Sequence, residues 1–248
     1  MKKIFLILFL FLNILSNHLI AQKSDNSTDV HFLTKDNIQI SASFQKPENK
    51  SGLIPAIILI HQGGSTREEW KNLALWNMLL NEGYAVLAYD IRSHGKSDKD
   101  DGTINDLFNN SKRSPLDLMA AINFLEKDTR IDKIRIGIIG ASIGANLACV
   151  AAASPVYHIQ SVVSISAKTS AVQNLSGTKD PVKPKQVFYI ASKNEQNGLR
   201  EEWAHDLFSK TTGKKKIEID KGNKHGSFIL KESITLQEEI VTWFKNTL

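Results

Sequence analysis

The sequence predicts an α/β protein with a mostly parallel central sheet flanked by helices. Three observations carry this. The runs Ala56–Ile60, Ala85–Tyr89, Ser161–Ile165 and Val187–Ala191 are short, largely branched and apolar, as strands covered on both faces require. Segments with apolar residues at helical spacing lie between them, and that alternation calls for right-handed crossovers. The run Ile134 to Ala153 joins an apolar strand, the turn Gly140-Ala141-Ser142-Ile143-Gly144 and an Ala-rich helix. That is G-x-S-x-G in the strand–turn–helix setting that gives the motif its meaning.

The chain has 248 residues. Lys2 and Lys3 precede nine consecutive apolar residues, Ile4–Leu12, and the apolar stretch continues to Ala21. This predicts a secretory signal peptide over residues 1–21, cut to leave Gln22 at the N-terminus. The alternative, an uncleaved anchor, is opposed by the short apolar core and by Asn13, Asn17 and His18 beyond it. No stable membrane insertion is expected once the signal is gone. Residues 22–29 read as a flexible polar leader and residues 30–248 as a single domain.

Cys149 is the only cysteine, so no intrachain disulfide can form. A signal with so little cysteine predicts a bacterial periplasmic or secreted protein. The net charge of +5 falls to +3 without Lys2 and Lys3, and the acidic and basic residues are well mixed. The densest basic run, Lys214–Lys216, leads into a strand and lacks the broad basic face with aromatics that nucleic-acid binding needs.

In order, Val30–Leu33 and Ile38–Phe44 read as an antiparallel pair at a sheet edge, because apolar and polar residues alternate in the second. Ala56–Ile60 is the first buried strand and ends in His61-Gln62-Gly63-Gly64-Ser65. A helix over Arg67–Leu80 follows, with Trp70, Leu73, Ala74 and Met78 at its spacing. Strand Ala85–Tyr89 leads into a long polar stretch reaching Ser114. Pro115 opens the next helix, whose buried stripe is Leu118, Ala121, Ile122 and Leu125. After the Ser142 helix come strand Ser161–Ile165, an insertion over Ala167–Lys185 too short and polar for a large lid, and strand Val187–Ala191. A helix over Leu199–Phe208, strand Lys216–Ile219 and helix Leu236–Leu248 complete the chain.

Ser142 is the candidate nucleophile, since a tight turn forces its side chain out of the packed layers. It needs a base, and the base needs a group fixing its tautomer. Of the histidines downstream, His158 precedes a strand and so falls at the opposite sheet end, and His205 lies within a helix. His225 follows the last strand in a glycine-bearing loop, at the edge where Ser142 must be. The acid should come from the loop after Val187–Ala191, where Glu195 is the only carboxylate. Asp180 and Asp220 are alternatives, although Asp220 follows the final strand closely. Oxyanion donors are expected from the Ile143 amide and from Gly63 or Gly64, with Gly63 preferred. His61 is expected to order its loop. Trp70, Arg92 and Phe108 are further candidates for pocket lining or loop ordering. His61, His94 and His225 are too dispersed in sequence for a zinc site, so neither metal nor cofactor is expected.

With HQGG at 61–64, Asp90 to Ser97, GASIG at 140–144, the Glu195 loop and KHG at 224–226, the chain resembles the α/β-hydrolase superfamily, and within it the dienelactone-hydrolase-like group. The order Ser142, Glu195, His225 is that family's order of nucleophile, acid and base. Three departures point away from a dienelactone substrate: serine in place of cysteine, glutamate in place of aspartate, and Ser93-His94 where the second loop is usually glycine-bearing. The resemblance implies a serine hydrolase of carboxylic esters acting on a small-molecule substrate, as a monomer or homodimer. A peptidase or amidase using the same triad is the alternative, as is a non-catalytic binding protein on the same scaffold.

Overall fold

The computed structural model describes residues 26–48 and 50–248. The expected signal peptide lies outside the described residues. Eight strands form one sheet in the order β1-β2-β4-β3-β5-β6-β7-β8. They are β1 (Thr28–Leu33), β2 (Gln39–Gln45), β3 (Ile54–Ile60), β4 (Ala85–Tyr89), β5 (Ile131–Ala141), β6 (Ser161–Ile165), β7 (Lys185–Ser192) and β8 (Thr212–Asp220). β1 pairs antiparallel with β2, and β2 with β4, whereas all pairings from β4 to β8 are parallel. The helices are α1 (Glu68–Lys71), α2 (Ala74–Asn81), α3 (Asp106–Asn109), α4 (Ser114–Lys127), α5 (Ile143–Ala153), α6 (Thr169–Ser176), α7 (Leu199–Lys210), α8 (Phe228–Lys231) and α9 (Ile234–Lys245).

The sheet is covered on both faces, which is why its inner strands carry no polar face. Along β3, Ile54, Ala56, Ile58 and Ile60 enter one core with residues of α4, α5, α6 and α7. Ile57 and Leu59 point the other way, into a second core built by α1, α2, α8 and α9. Every residue of β3, β4 and β6 is buried.

The structure departs from the sequence reading in several places. β1 begins two residues before Val30, because Asp29 pairs with Ser43 in the ladder and its carboxylate accepts from Arg67 Nη2 at 3.0 Å. The expected helix over 67–80 is two helices, broken at Leu73, whose backbone is extended although no glycine or proline marks the break. The insertion over 167–185 contains α6, which buries Ala171, Val172 and Leu175. β8 is longer than expected and runs from Thr212, with Lys214 and Lys215 exposed on this edge strand.

Candidate active site

The parallel strands all point the same way, so the loops at their carboxyl ends gather along one edge of the sheet. His61–Gly64 follows β3, Asp90–Arg92 follows β4, Ser142 follows β5, Ser166 follows β6, Glu195 follows β7 and His225 follows β8.

Ser142 sits on a strained bend, with φ 52° and ψ −106°. Such a backbone costs a non-glycine residue on the order of 1–3 kcal/mol and persists only where its surroundings impose it. The glycines on either side supply that constraint. A Cβ on Gly140 would strike the Gly144 carbonyl, and one on Gly144 would strike the Ile60 carbonyl, so strand and helix approach as only glycine allows. The Ser142 N–H donates to Ile165 O at 2.8 Å, and Asn146 N–H donates to Ser142 O at 3.0 Å. Ser142 is 5% exposed.

Two other loops close on this bend. A Cβ built on Gly63 would meet Ile143 Cδ1 at 2.9 Å, and one on Gly226 would lie 3.4 Å from the Ala141 Cβ. The His61–Gly64 loop therefore flanks Ile143, and the loop bearing His225 flanks Ala141. The Ile143 amide opens α5, where the first helical N–H groups have no intrahelical acceptor. Of the two candidate glycines, Gly64 already donates its N–H to His94 Nε2 at 3.2 Å. Gly63 N–H has no acceptor among the described residues.

His225 Nδ1 lies 2.5 Å from Glu195 Oε1, and Glu195 is 6% exposed. Since a carboxylate only accepts, this contact puts the proton on Nδ1 and leaves Nε2 as the basic nitrogen. Neither alternative to Glu195 has a hydrogen bond to His225. Asp220 Oδ2 accepts from Gly222 N–H at 2.7 Å within its own turn, and Asp180 is exposed in the loop after α6. His158 and His205 are both exposed, His205 on α7.

The supporting residues sort clearly. His61 is fully buried: its Nδ1 lies 2.7 Å from Gln62 O, and its Nε2 accepts from Ile91 N–H at 2.9 Å. Burial pushes its pKa down to about 4, against the opposite pull of the Gln62 carbonyl. It ties the β3 loop to the β4 loop as a neutral ring. Arg92 is also buried and orders the β4 loop, donating to Asp36, Asp100 and Asp117. Trp70 is no pocket residue. It is 1% exposed because α1 turns it into the second core. Phe108 packs partly buried against the first core.

Four residues that sequence reasoning missed complete the site. Ser166 Oγ donates to Glu195 Oε2 at 2.9 Å, and Arg200 Nε lies 3.0 Å from Glu195 Oε1. Gln62 Oε1 accepts from Ser227 N–H at 3.2 Å, joining the β3 loop to the His225 loop. Glu69, buried beneath, accepts from Gln62 N–H at 3.2 Å. Burial raises its pKa to about 7 against several hydrogen bonds that oppose the shift. The only sequence hint was proximity to the predicted loops. The described residues hold no group of three or more metal-ligating side chains placed to bind an ion, and no helix long and apolar enough to cross a membrane.

Residues 55–216 match the family described as alpha/beta hydrolase fold, and the chain belongs to that family. Among solved structures it is similar to the Pyrococcus furiosus esterase Pf2001, at 22% identity and TM-score 0.70, over 89% of this chain and 92% of that one. It is also similar to acetyl xylan esterase 1 from Thermoanaerobacterium sp. JW/SL YS485, at 18% identity and TM-score 0.66, covering 88% and 82%. Est1E from Butyrivibrio proteoclasticus, solved with ferulic acid, matches at 18% identity and TM-score 0.66, covering 88% and 97%. Among curated proteins none matches the sequence.

Proposed function

We propose that the protein hydrolyses carboxylic esters through a Ser142–His225–Glu195 triad and an acyl-enzyme. The observation that carries this reading is the buried Glu195 carboxylate 2.5 Å from His225 Nδ1, with the loop of His225 packed beside the strained Ser142 bend. A binding protein on this scaffold would have no reason to keep an acid aimed at the histidine. Two of the similar structures are described as esterases, which favours an ester over an amide substrate.

In this mechanism Ser142 Oγ attacks the ester carbonyl as His225 Nε2 takes its proton, and Glu195 stabilises the imidazolium through Nδ1–H. The Ile143 and Gly63 amides hold the oxyanion, a contribution of about 3 kcal/mol per donor in comparable sites. The imidazolium then protonates the departing alcohol. Water, activated by the same nitrogen, attacks the acyl-enzyme and releases the acid with Ser142 restored. No metal or cofactor takes part in these steps.

The test is a fluorophosphonate probe on the purified protein, with peptide mapping and short p-nitrophenyl esters as substrates. Label is expected on Ser142, and Ser142→Ala should lose it together with at least about 10⁴-fold of ester turnover while staying folded. Label at another residue, or turnover that survives Ser142→Ala, overturns the proposal. A protein that folds but neither labels nor turns over esters is the non-catalytic alternative.

A further inference from the structure

Ser166 occupies the first position after β6, with φ 59°, in the left-handed region that favours glycine. It is 1% exposed, and each of its polar groups is engaged. Its N–H donates to Ile190 O at 2.8 Å, and its carbonyl accepts from Arg200 Nη1 at 2.7 Å. Its hydroxyl donates to Glu195 Oε2 at 2.9 Å and accepts from Gly226 N–H at 3.0 Å. One small side chain thus holds the acid and the residue next to His225 together. Glycine would suit this backbone, so the presence of serine there calls for a use of the hydroxyl.

The carboxylate it holds is shared three ways. Oε1 faces both His225 Nδ1, at 2.5 Å, and Arg200 Nε, at 3.0 Å, and Oε2 takes the Ser166 hydroxyl. Arg200 cannot swing away, because its guanidinium is also pinned by Ser166 O and stacks 5.0 Å from the Trp203 ring centroid. Arg200 Nε is buried and without a well-aligned hydrogen bond, so its fixed positive charge remains a standing competitor for Oε1 once the Ser166 hydroxyl is gone. The glutamate, with one more rotatable bond than aspartate, would then be free to turn toward the guanidinium and away from the imidazole.

We propose that Ser166 is a positioning residue of the active site: its hydroxyl fixes the Glu195 carboxylate and the Gly226 amide in one frame, so that Oε1 stays on His225 Nδ1 despite the competing Arg200. The effect on turnover rests on the serine-hydrolase reading above, whereas the effect on the Glu195–His225 hydrogen bond does not.

The experiment compares wild type, Ser166→Gly and Ser166→Ala. The glycine variant accepts the backbone without strain and retains both main-chain bonds, so it removes the hydroxyl alone. Two quantities are read: the low-field proton resonance of His225 Nδ1–H, identified by its loss in His225→Ala, and kcat and KM on a short ester. In both variants the resonance should move upfield and broaden. A lost hydrogen bond to a charged group predicts a kcat lower by about ten- to hundredfold, with KM within about twofold of wild type. An unchanged resonance in a folded Ser166→Gly protein overturns the proposal whatever happens to kcat, and so does a kcat within twofold of wild type. A resonance that moves in a protein whose wild type never hydrolyses esters supports the positioning role and sinks the esterase reading instead.

Discussion

Glu195 and Arg200 form an ion pair in which each residue is only 6% exposed, so solvent screens it little. Glu195→Gln keeps the shape and removes the charge. The amide oxygen can still face His225 and Arg200, and the amide nitrogen can face Ser166 Oγ, so the geometry has a route to survive. What cannot survive is the charge balance, because Arg200 stays protonated in a buried position. Breaking one side of a buried pair costs about 3–5 kcal/mol. The low end applies here, since Arg200 Nη1 keeps Ser166 O at 2.7 Å and the guanidinium keeps the Trp203 face. At about 3 kcal/mol, a domain of this size should lose roughly 6–12 °C of Tm. Adding Arg200→Met removes the orphaned charge, fills similar volume and places a thioether against Trp203. The double variant should return to within about 1 kcal/mol of wild type, a coupling well above that of independent sites. Turnover should not return with it: the single and the double variant should both stay about 10²–10⁴-fold below wild type in kcat, because a neutral amide does not stabilise the imidazolium. Calorimetry on wild type, the two single variants and the double variant at pH 7, with ester kinetics alongside, measures both terms. An unshifted Tm in Glu195→Gln, or a double variant no more stable than that single variant, would refute the charge-pair argument. Recovered turnover in the double variant would refute the role of the acid.

Two further outcomes follow from buried groups near the site. Glu69 has a folded-state pKa of about 7, raised from 4.5 by burial, and its Oε2 and the nearby Ser227 Oγ both lack a well-formed hydrogen bond. Between pH 4.5 and 7 the folded protein keeps a proton that the unfolded chain has released, so this group's stabilisation is complete below pH 4.5 and fades as pH rises through 7, by about 3 kcal/mol in all. Glu69→Gln should therefore melt higher than wild type at pH 8 and lose that part of the pH dependence in thermal scans from pH 4.5 to 8; a parallel pair of Tm curves would count against it. Ser142→Gly should relieve the φ 52° bend and raise stability by about 1–3 kcal/mol in denaturant titrations while abolishing turnover, and an equal or lower midpoint would mean the bend stores no strain.

The sheet was legible because its strands are buried on both faces, which leaves an unbroken branched run such as Ala56–Ile60 with few other readings. The helix break at Leu73 was not, since no glycine or proline encodes it, and α6 was hidden because only three buried residues mark it within a polar stretch. Trp70 has helical spacing and follows the glycine loop closely, so it read as a pocket residue; the orientation of a four-residue helix decides its burial, and that orientation is a tertiary outcome. The candidate site divides the same way. Ser142, Glu195 and His225 could be named because each follows a parallel strand, and the sheet delivers such positions to one edge whatever the details of packing. Ser166 follows a strand too, yet nothing in its local sequence announces a positive φ or a hydroxyl bonded on both sides. Arg200 reaches Glu195 only because a turn with left-handed Gln196 and Asn197 folds the start of α7 back over the acid. Topology therefore tells which residues meet, while the sharing of one carboxylate among His225, Ser166 and Arg200 depends on backbone angles that local sequence does not specify. The identity of the proposed acid is a property of the chain order; how firmly it holds the histidine is a property of the packing around it.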